Sequence, residues 1–174
     1  MNETTLTCME DLYRKVDADV GDLERSHGSR LQCRPGCASC CVDNITVWEV
    51  EASFIRHHCR EVLSTAPHPV GKCAFLDSCG NCRIYRWRPY VCRTQGLPLH
   101  WTEENENGTV VAYRDICPVN DPGQPVETLP EDDCWKIGPV EENLAAFQCE
   151  SGDGKMKRVG LRELFGSYDS GTLS

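Results

Sequence analysis

Apolar residues at Leu6, Met9, Leu12, Tyr13, Val16, Val20 and Leu23 recur every three or four positions, the spacing of one helix face. This predicts a helix over about 6–23 that ends before Ser26-His27-Gly28. Thr46-Val47-Trp48-Glu49 has the form of a capping box, in which the Thr46 hydroxyl takes the N3 amide and Glu49 reaches back to the cap amide. A helix over 47–63 is expected from it, with Val50, Phe54, Ile55, Cys59 and Val62 on its apolar stripe and Ala66-Pro67-His68-Pro69-Val70-Gly71 as its stop.

Beyond that stop the period shortens. Residues 73–77 and 83–86 read as two short strands around Ser78-Cys79-Gly80-Asn81-Cys82, where Gly and Asn supply left-handed conformations. Arg88-Pro89-Tyr90-Val91-Cys92-Arg93 suggests a proline-initiated helical turn. Segments 96–101 and 109–113 fit a hairpin across a polar Glu/Asn/Gly loop, which carries the chain on to Cys117-Pro118. Pro139 and the acidic residues after it open a further helix, 161–165 reads as a last helical turn, and the chain is expected to fray from Gly166.

The pattern as a whole is that of an α+β protein, a small cysteine-rich metal-stapled domain with short hairpins and several helices. It divides into an N-terminal helix (1–30), a cysteine-cluster metal-binding domain (31–120), a C-terminal helical extension (121–166) and a frayed tail (167–174). No internal repeat is visible.

Composition alters this picture in one respect. Of the 174 residues 40% are hydrophobic, but 13 of these are cysteines, and without them roughly a third of the chain is ordinary apolar material. Part of the folding free energy is then expected from bound metal. The net charge of −9 argues against a nucleic-acid footprint, which needs clustered Lys and Arg. The first residues carry neither a basic n-region nor an apolar h-region, and no stretch approaches a membrane span, so a cytoplasmic protein without membrane attachment is expected.

Cys33-Arg-Pro-Gly-Cys37-Ala-Ser-Cys40-Cys41 puts four thiols into one turn. Thiolates two or three residues apart can converge on an ion or cluster, whereas the adjacent pair Cys40-Cys41 is badly placed for an ordinary disulfide. An odd cysteine count and this adjacent pair also speak against a secreted disulfide scaffold. Cys33, Cys37, Cys40 and Cys41 with Cys73, Cys82, Cys92 and Cys117 make enough thiols for two four-thiolate sites, with Cys79 as a substitute. All-sulfur sets select zinc or an iron–sulfur cluster. Phe75, Tyr85, Trp87 and Tyr90 with Arg86, Arg88 and Arg93 are either the shell that tunes such a site or plain core and surface residues. Cys8, Cys59, Cys134 and Cys149 read as small buried hydrophobes on or beside helices, and the five histidines as surface or structural residues.

Other chemistries find little support. No Gly-rich loop follows a strand, and there is neither a G-x-S-x-G elbow nor a P-loop. Cys33, Cys37 and Cys40 match the triplet of radical enzymes that use S-adenosylmethionine, but the chain is too short for a full barrel and Cys41 follows at once.

The C-x3-C-x2-C-C turn, the helix after it, Cys73-Ala-Phe-Leu, Cys82-Arg-Ile-Tyr-Arg-Trp-Arg-Pro-Tyr-Val-Cys92-Arg and the later Cys117-Pro118 together resemble the CxxCxxCC or YkgJ-type cysteine-cluster family, over residues 33–119. The first spacing is three residues here where the family name has two. The resemblance implies chelation of zinc or iron by Cys33, Cys37, Cys40, Cys41, Cys73, Cys82, Cys92 and Cys117. It names no reaction, although some relatives carry the motif within lysine methylases associated with an iron–sulfur cluster. Three functions are therefore expected as alternatives: a module holding an iron–sulfur cluster, with the 4Fe-4S type favoured, or zinc, for electron transfer or an accessory role; a cluster-dependent enzyme of redox or methyl-transfer chemistry; or a purely structural zinc protein.

Overall fold

A computed structural model describes residues 1–151 and 155–166. In chain order the regular elements are α1 (Glu3–Ser26), β1 (Thr46–Trp48), α2 (Glu49–His58), α3 (Arg60–Leu63), α4 (Tyr90–Thr94), β2 (Leu99–Glu104), β3 (Val110–Asp115), β4 (Trp135–Lys136), α5 (Pro139–Ser151) and β5 (Arg158–Gly160), with short 3-10 turns between several of them. They belong to two compact units. Unit 1 is Met1–Met9, Pro35–Pro89 and Leu144–Ser174, and unit 2 is Glu10–Arg34 and Tyr90–Asn143.

The mixed α+β architecture agrees with the sequence pattern, and its sheets are small, of two and three strands. The periodicity of α1 buries Met9, Tyr13, Val16 and Val20 as expected. The proline start of α5 and the helical turn at Leu161–Phe165 are also present. The tail expected to fray, 167–174, lies outside the described residues.

In unit 1, β1 pairs antiparallel with β5, Val47 opposite Val159. These two valines form one apolar cluster with Ala52, Ile55, Phe75, Leu76, Ile84, Leu161, Leu164 and Phe165. Phe75 is 1% exposed and its ring centre lies 4.8 Å from that of Phe165. Arg162 ties the loop after α3 to the segment before β1: its Nε donates to Asp43 Oδ1 at 2.6 Å, and its terminal nitrogens donate to the carbonyls of His68, Pro69 and Lys72.

In unit 2, β2 and β3 form the expected hairpin, with Trp101 opposite Tyr113, and β4 adds to β2 in parallel. Ile116, Val126, Leu129 and Cys134 make a small apolar cluster. Arg93, with its side chain 3% exposed, is paired with Asp17 at 2.6 Å and lies 4.1 Å from the centre of the Tyr13 ring. That engagement gives an arginine inside the cysteine-rich segment a structural role in unit 2.

Three local expectations are corrected. Thr46 does not cap α2 but extends β1, because its backbone pairs with Gly160. Trp48 is the cap residue, and the buried Glu51 takes its backbone N–H at 3.2 Å. The helix expected over 47–63 is broken at Cys59 (φ −119°, ψ 28°), whose thiol is packed into the unit 1 cluster, and only the short α3 follows. Finally, residues 73–77 and 83–86 are not strands. They form turns joined by a single bridge, Leu76 to Cys82, and Tyr85–Trp87 is a 3-10 turn, since burial of Ala74, Phe75 and Leu76 on one compact knot replaces the alternation of a half-buried strand.

Candidate metal centre

The thiols of the C-x3-C-x2-C-C turn are shaped by Gly36, whose φ of +85° is the left-handed region that glycine enters without strain. The turn at residues 77–82 is built the same way around Gly80, at φ +81°. A side chain there would meet the Gly36 carbonyl at 3.5 Å, so the two turns sit back to back. Asp77 organises the second turn, accepting the backbone N–H groups of Cys79 and Asn81 at 2.8 Å. The Asn81 and other donors hold the Asp77 carboxyl below its usual range.

Within unit 1 the end of the first turn is tied to the second thiol segment by the Cys73 backbone N–H, which donates to the Cys41 carbonyl at 2.9 Å. Cys41 and Cys82 pack partly buried against the cluster that contains Cys59 and Cys73. The adjoining Cys41 thiol, as a hydrogen-bonding neighbour, brings Cys40 down from 9.0 to about 6, against the opposing effect of burial and with help from its own backbone N–H. Burial pushes the Cys73 and Cys82 thiols up. It raises Cys59 to about 11, with the neighbouring Cys82 adding to the effect. Cys37 lies 3.8 Å from the Ser39 hydroxyl, and Cys79 is exposed.

Unit 2 carries Cys33, Cys92 and Cys117 of the expected set. Cys33 is exposed, and the other two are half-buried. Asn120, fully buried, donates from Nδ2 to Cys33 Sγ at 3.2 Å and to the Gly96 carbonyl at 2.7 Å. Its Oδ1 accepts the Gln32 backbone N–H at 2.7 Å, and its own N–H donates to the Cys117 carbonyl at 2.7 Å.

The eight expected thiols are thus divided, Cys37, Cys40, Cys41, Cys73 and Cys82 in unit 1 and the remaining three in unit 2. Among the described residues no three His, Cys, Asp or Glu side chains are grouped so as to hold one ion. The arrangement is one of thiol pairs and neighbours. In donor chemistry it suits soft or borderline metals, zinc and iron, rather than oxygen-seeking calcium or magnesium.

Sequence reasoning missed Asn120, since a buried asparagine bonded to sulfur has no distinguishing pattern in a Pro/Asn/Asp segment. It also missed the contact of Cys59 with the thiol-bearing core, although the apolar stripe had placed Cys59 inside. Cys134 is buried as expected, its thiol donating to the Pro130 carbonyl at 3.5 Å. Cys149, expected to be buried, is exposed, its sulfur 3.5 Å from Met156 Sδ. His58 stacks on Trp87 at 3.8 Å with Arg86 4.7 Å from the Trp87 ring centre, so this arginine is occupied by an aromatic face.

Two small α+β units with thiols gathered on glycine turns define a cysteine-cluster protein. Residues 32–118 match the CxxCxxCC family, described as a putative zinc- or iron-chelating domain, and the chain belongs to that family. No curated protein and no solved structure matches the chain. No helix among the described residues is long and apolar enough to cross a membrane.

Proposed function

We propose that the protein holds an iron–sulfur cluster, of the 4Fe-4S type, or zinc through the thiolates of Cys33, Cys37, Cys40, Cys41, Cys73, Cys82, Cys92 and Cys117, and works as an electron-transfer or accessory module. The observation that carries the reading is the meeting of the two thiol segments of unit 1: the Cys73 backbone N–H donates to the Cys41 carbonyl at 2.9 Å, and the glycine turns at Gly36 and Gly80 lie against each other. A metal ligand must be deprotonated, which the lowered Cys40 thiol favours, whereas Cys73 and Cys82, pushed up by burial, would release their protons on binding. Membership of a family with a chelating role supports the same reading.

The test is anaerobic purification of the full chain followed by metal and sulfide analysis and a visible spectrum. Iron with acid-labile sulfide and broad charge-transfer absorption supports the cluster, and a colourless zinc-bearing protein supports zinc. Protein with neither metal contradicts the proposal.

A further inference from the structure

Asn120 lies beyond the stretch that matches the family, and the orientation of its side-chain amide is fixed from two directions. Oδ1 faces a backbone donor, Gln32 N–H, while Nδ2 faces a backbone acceptor, the Gly96 carbonyl. The remaining N–H of Nδ2 is thereby aimed at Cys33 Sγ. The approach depends on Gly96: at φ +102° it takes a conformation that side chains rarely adopt, and an added Cβ would stand 2.8 Å from Cys33 Sγ and 3.2 Å from Asn120 Nδ2. Asn120 also bonds through its backbone to Cys117 and receives Arg30 Nε at its carbonyl at 2.9 Å, so it cannot move away from the sulfur independently.

From this geometry we propose that Asn120 is a positioning residue for the thiol site, holding Cys33 in register with Cys117 and donating an N–H···S bond that lowers the electron density on the Cys33 sulfur. The inference rests on the ligand role proposed for Cys33. A thiolate that accepts a hydrogen bond is a weaker donor and a poorer nucleophile, in the way outer-shell partners tune a metal ligand. Asn120 and Gly96 then set the donor strength of one sulfur in the set.

The experiment loads the full chain with Co(II), reads the thiolate-to-Co(II) charge-transfer band, and follows alkylation of Cys33 by iodoacetamide with peptide mass analysis. In Asn120→Ala the band is expected to move to lower energy and Cys33 to react about fivefold faster, the loss of one hydrogen bond. Gly96→Ala, which keeps the amide but crowds both the sulfur and Asn120 Nδ2 and so weakens the bond between them, is expected to shift both in the same direction and decides the matter if Asn120→Ala does not fold. A merely structural role would lower the melting temperature and leave the band and the rate of folded protein unchanged, which would overturn the inference. Charge-transfer bands that persist unaltered in Cys33→Ser would instead remove Cys33 from the ligand set, and the inference with it. Bands lost in Cys33→Ser but unmoved in the Asn120 and Gly96 variants would reject the inference alone.

Discussion

The backbone N–H of Cys73 donates to the carbonyl of Cys41 at 2.9 Å, joining the end of the first thiol turn to the start of the second thiol segment. The bond spans α2 and α3, so these thiol-bearing segments of unit 1 are neighbours. The loop before Cys73 is held by Arg162, and Asp43 accepts both this arginine and the Gly71 backbone N–H.

Removing metal with a chelator, or protonating thiolates with acid, is therefore expected to loosen the segment around 66–71 and increase its cleavage by protease, because ligation adds to the bonds that close this loop. Arg162→Ala should increase cleavage at the same positions even in metal-loaded protein, since it removes the bonds to His68, Pro69 and Lys72. Limited proteolysis with mass mapping reads both. Equal resistance of metal-free and metal-loaded protein would separate the metal from the fold.

The Cys40/Cys41 contact predicts a pH dependence in the metal-free chain. Cys40 reacts as thiolate, so its alkylation rate should rise through a midpoint near pH 6, and Cys41→Ala should move that midpoint toward the ordinary 9.0. The sign for stability follows. A thiol whose folded value lies below its unfolded value contributes stability that is complete above about pH 9, declines as the pH falls, and is gone below about pH 6. Cys59 acts in the opposite sense, its raised value near 11 withdrawing stability as the pH rises from 9 toward 11. Melting curves of wild type, Cys41→Ala and Cys59→Ala across that range test both signs.

Phe75 lies between two proposed ligands and is 1% exposed, packed on Phe165. Phe75→Ala should cost about 3–5 kcal/mol, the usual penalty for an emptied aromatic site in a core. Denaturant unfolding measures it, and a loss below about 1 kcal/mol would mean the segment is held by something other than apolar packing.

What could be read from the sequence was whatever has a period or a spacing. The helix face from Met9 to Val20, the 96–113 hairpin and the proline start of α5 are local signals, and each is present. The pairing of β1 with β5 was not legible, because Thr46 and Gly160 are brought together only by the tertiary fold. That pairing also explains the misplaced cap: a Thr-x-x-Glu pattern was outweighed by ladder bonds, and Glu51 served Trp48 instead. The turns at 73–87 misled for a related reason, since a short apolar run such as Ala74-Phe75-Leu76 has no period to separate a strand from a buried turn. The thiols were found by spacing alone. Spacing does not reveal which sulfur is buried, which is paired as Cys40 is with Cys41, or which receives an amide as Cys33 does.

The central claim, that clustered thiolates hold the metal, is tested most directly by the metal content of anaerobically purified full-length variants, measured by elemental analysis per folded chain. Single replacement of Cys37, Cys40, Cys41 or Cys92 by Ser is expected to lower bound metal sharply, while Cys8→Ser and Cys149→Ser stay near wild type. Equal loss in both groups, or metal retained in the first, would contradict the account.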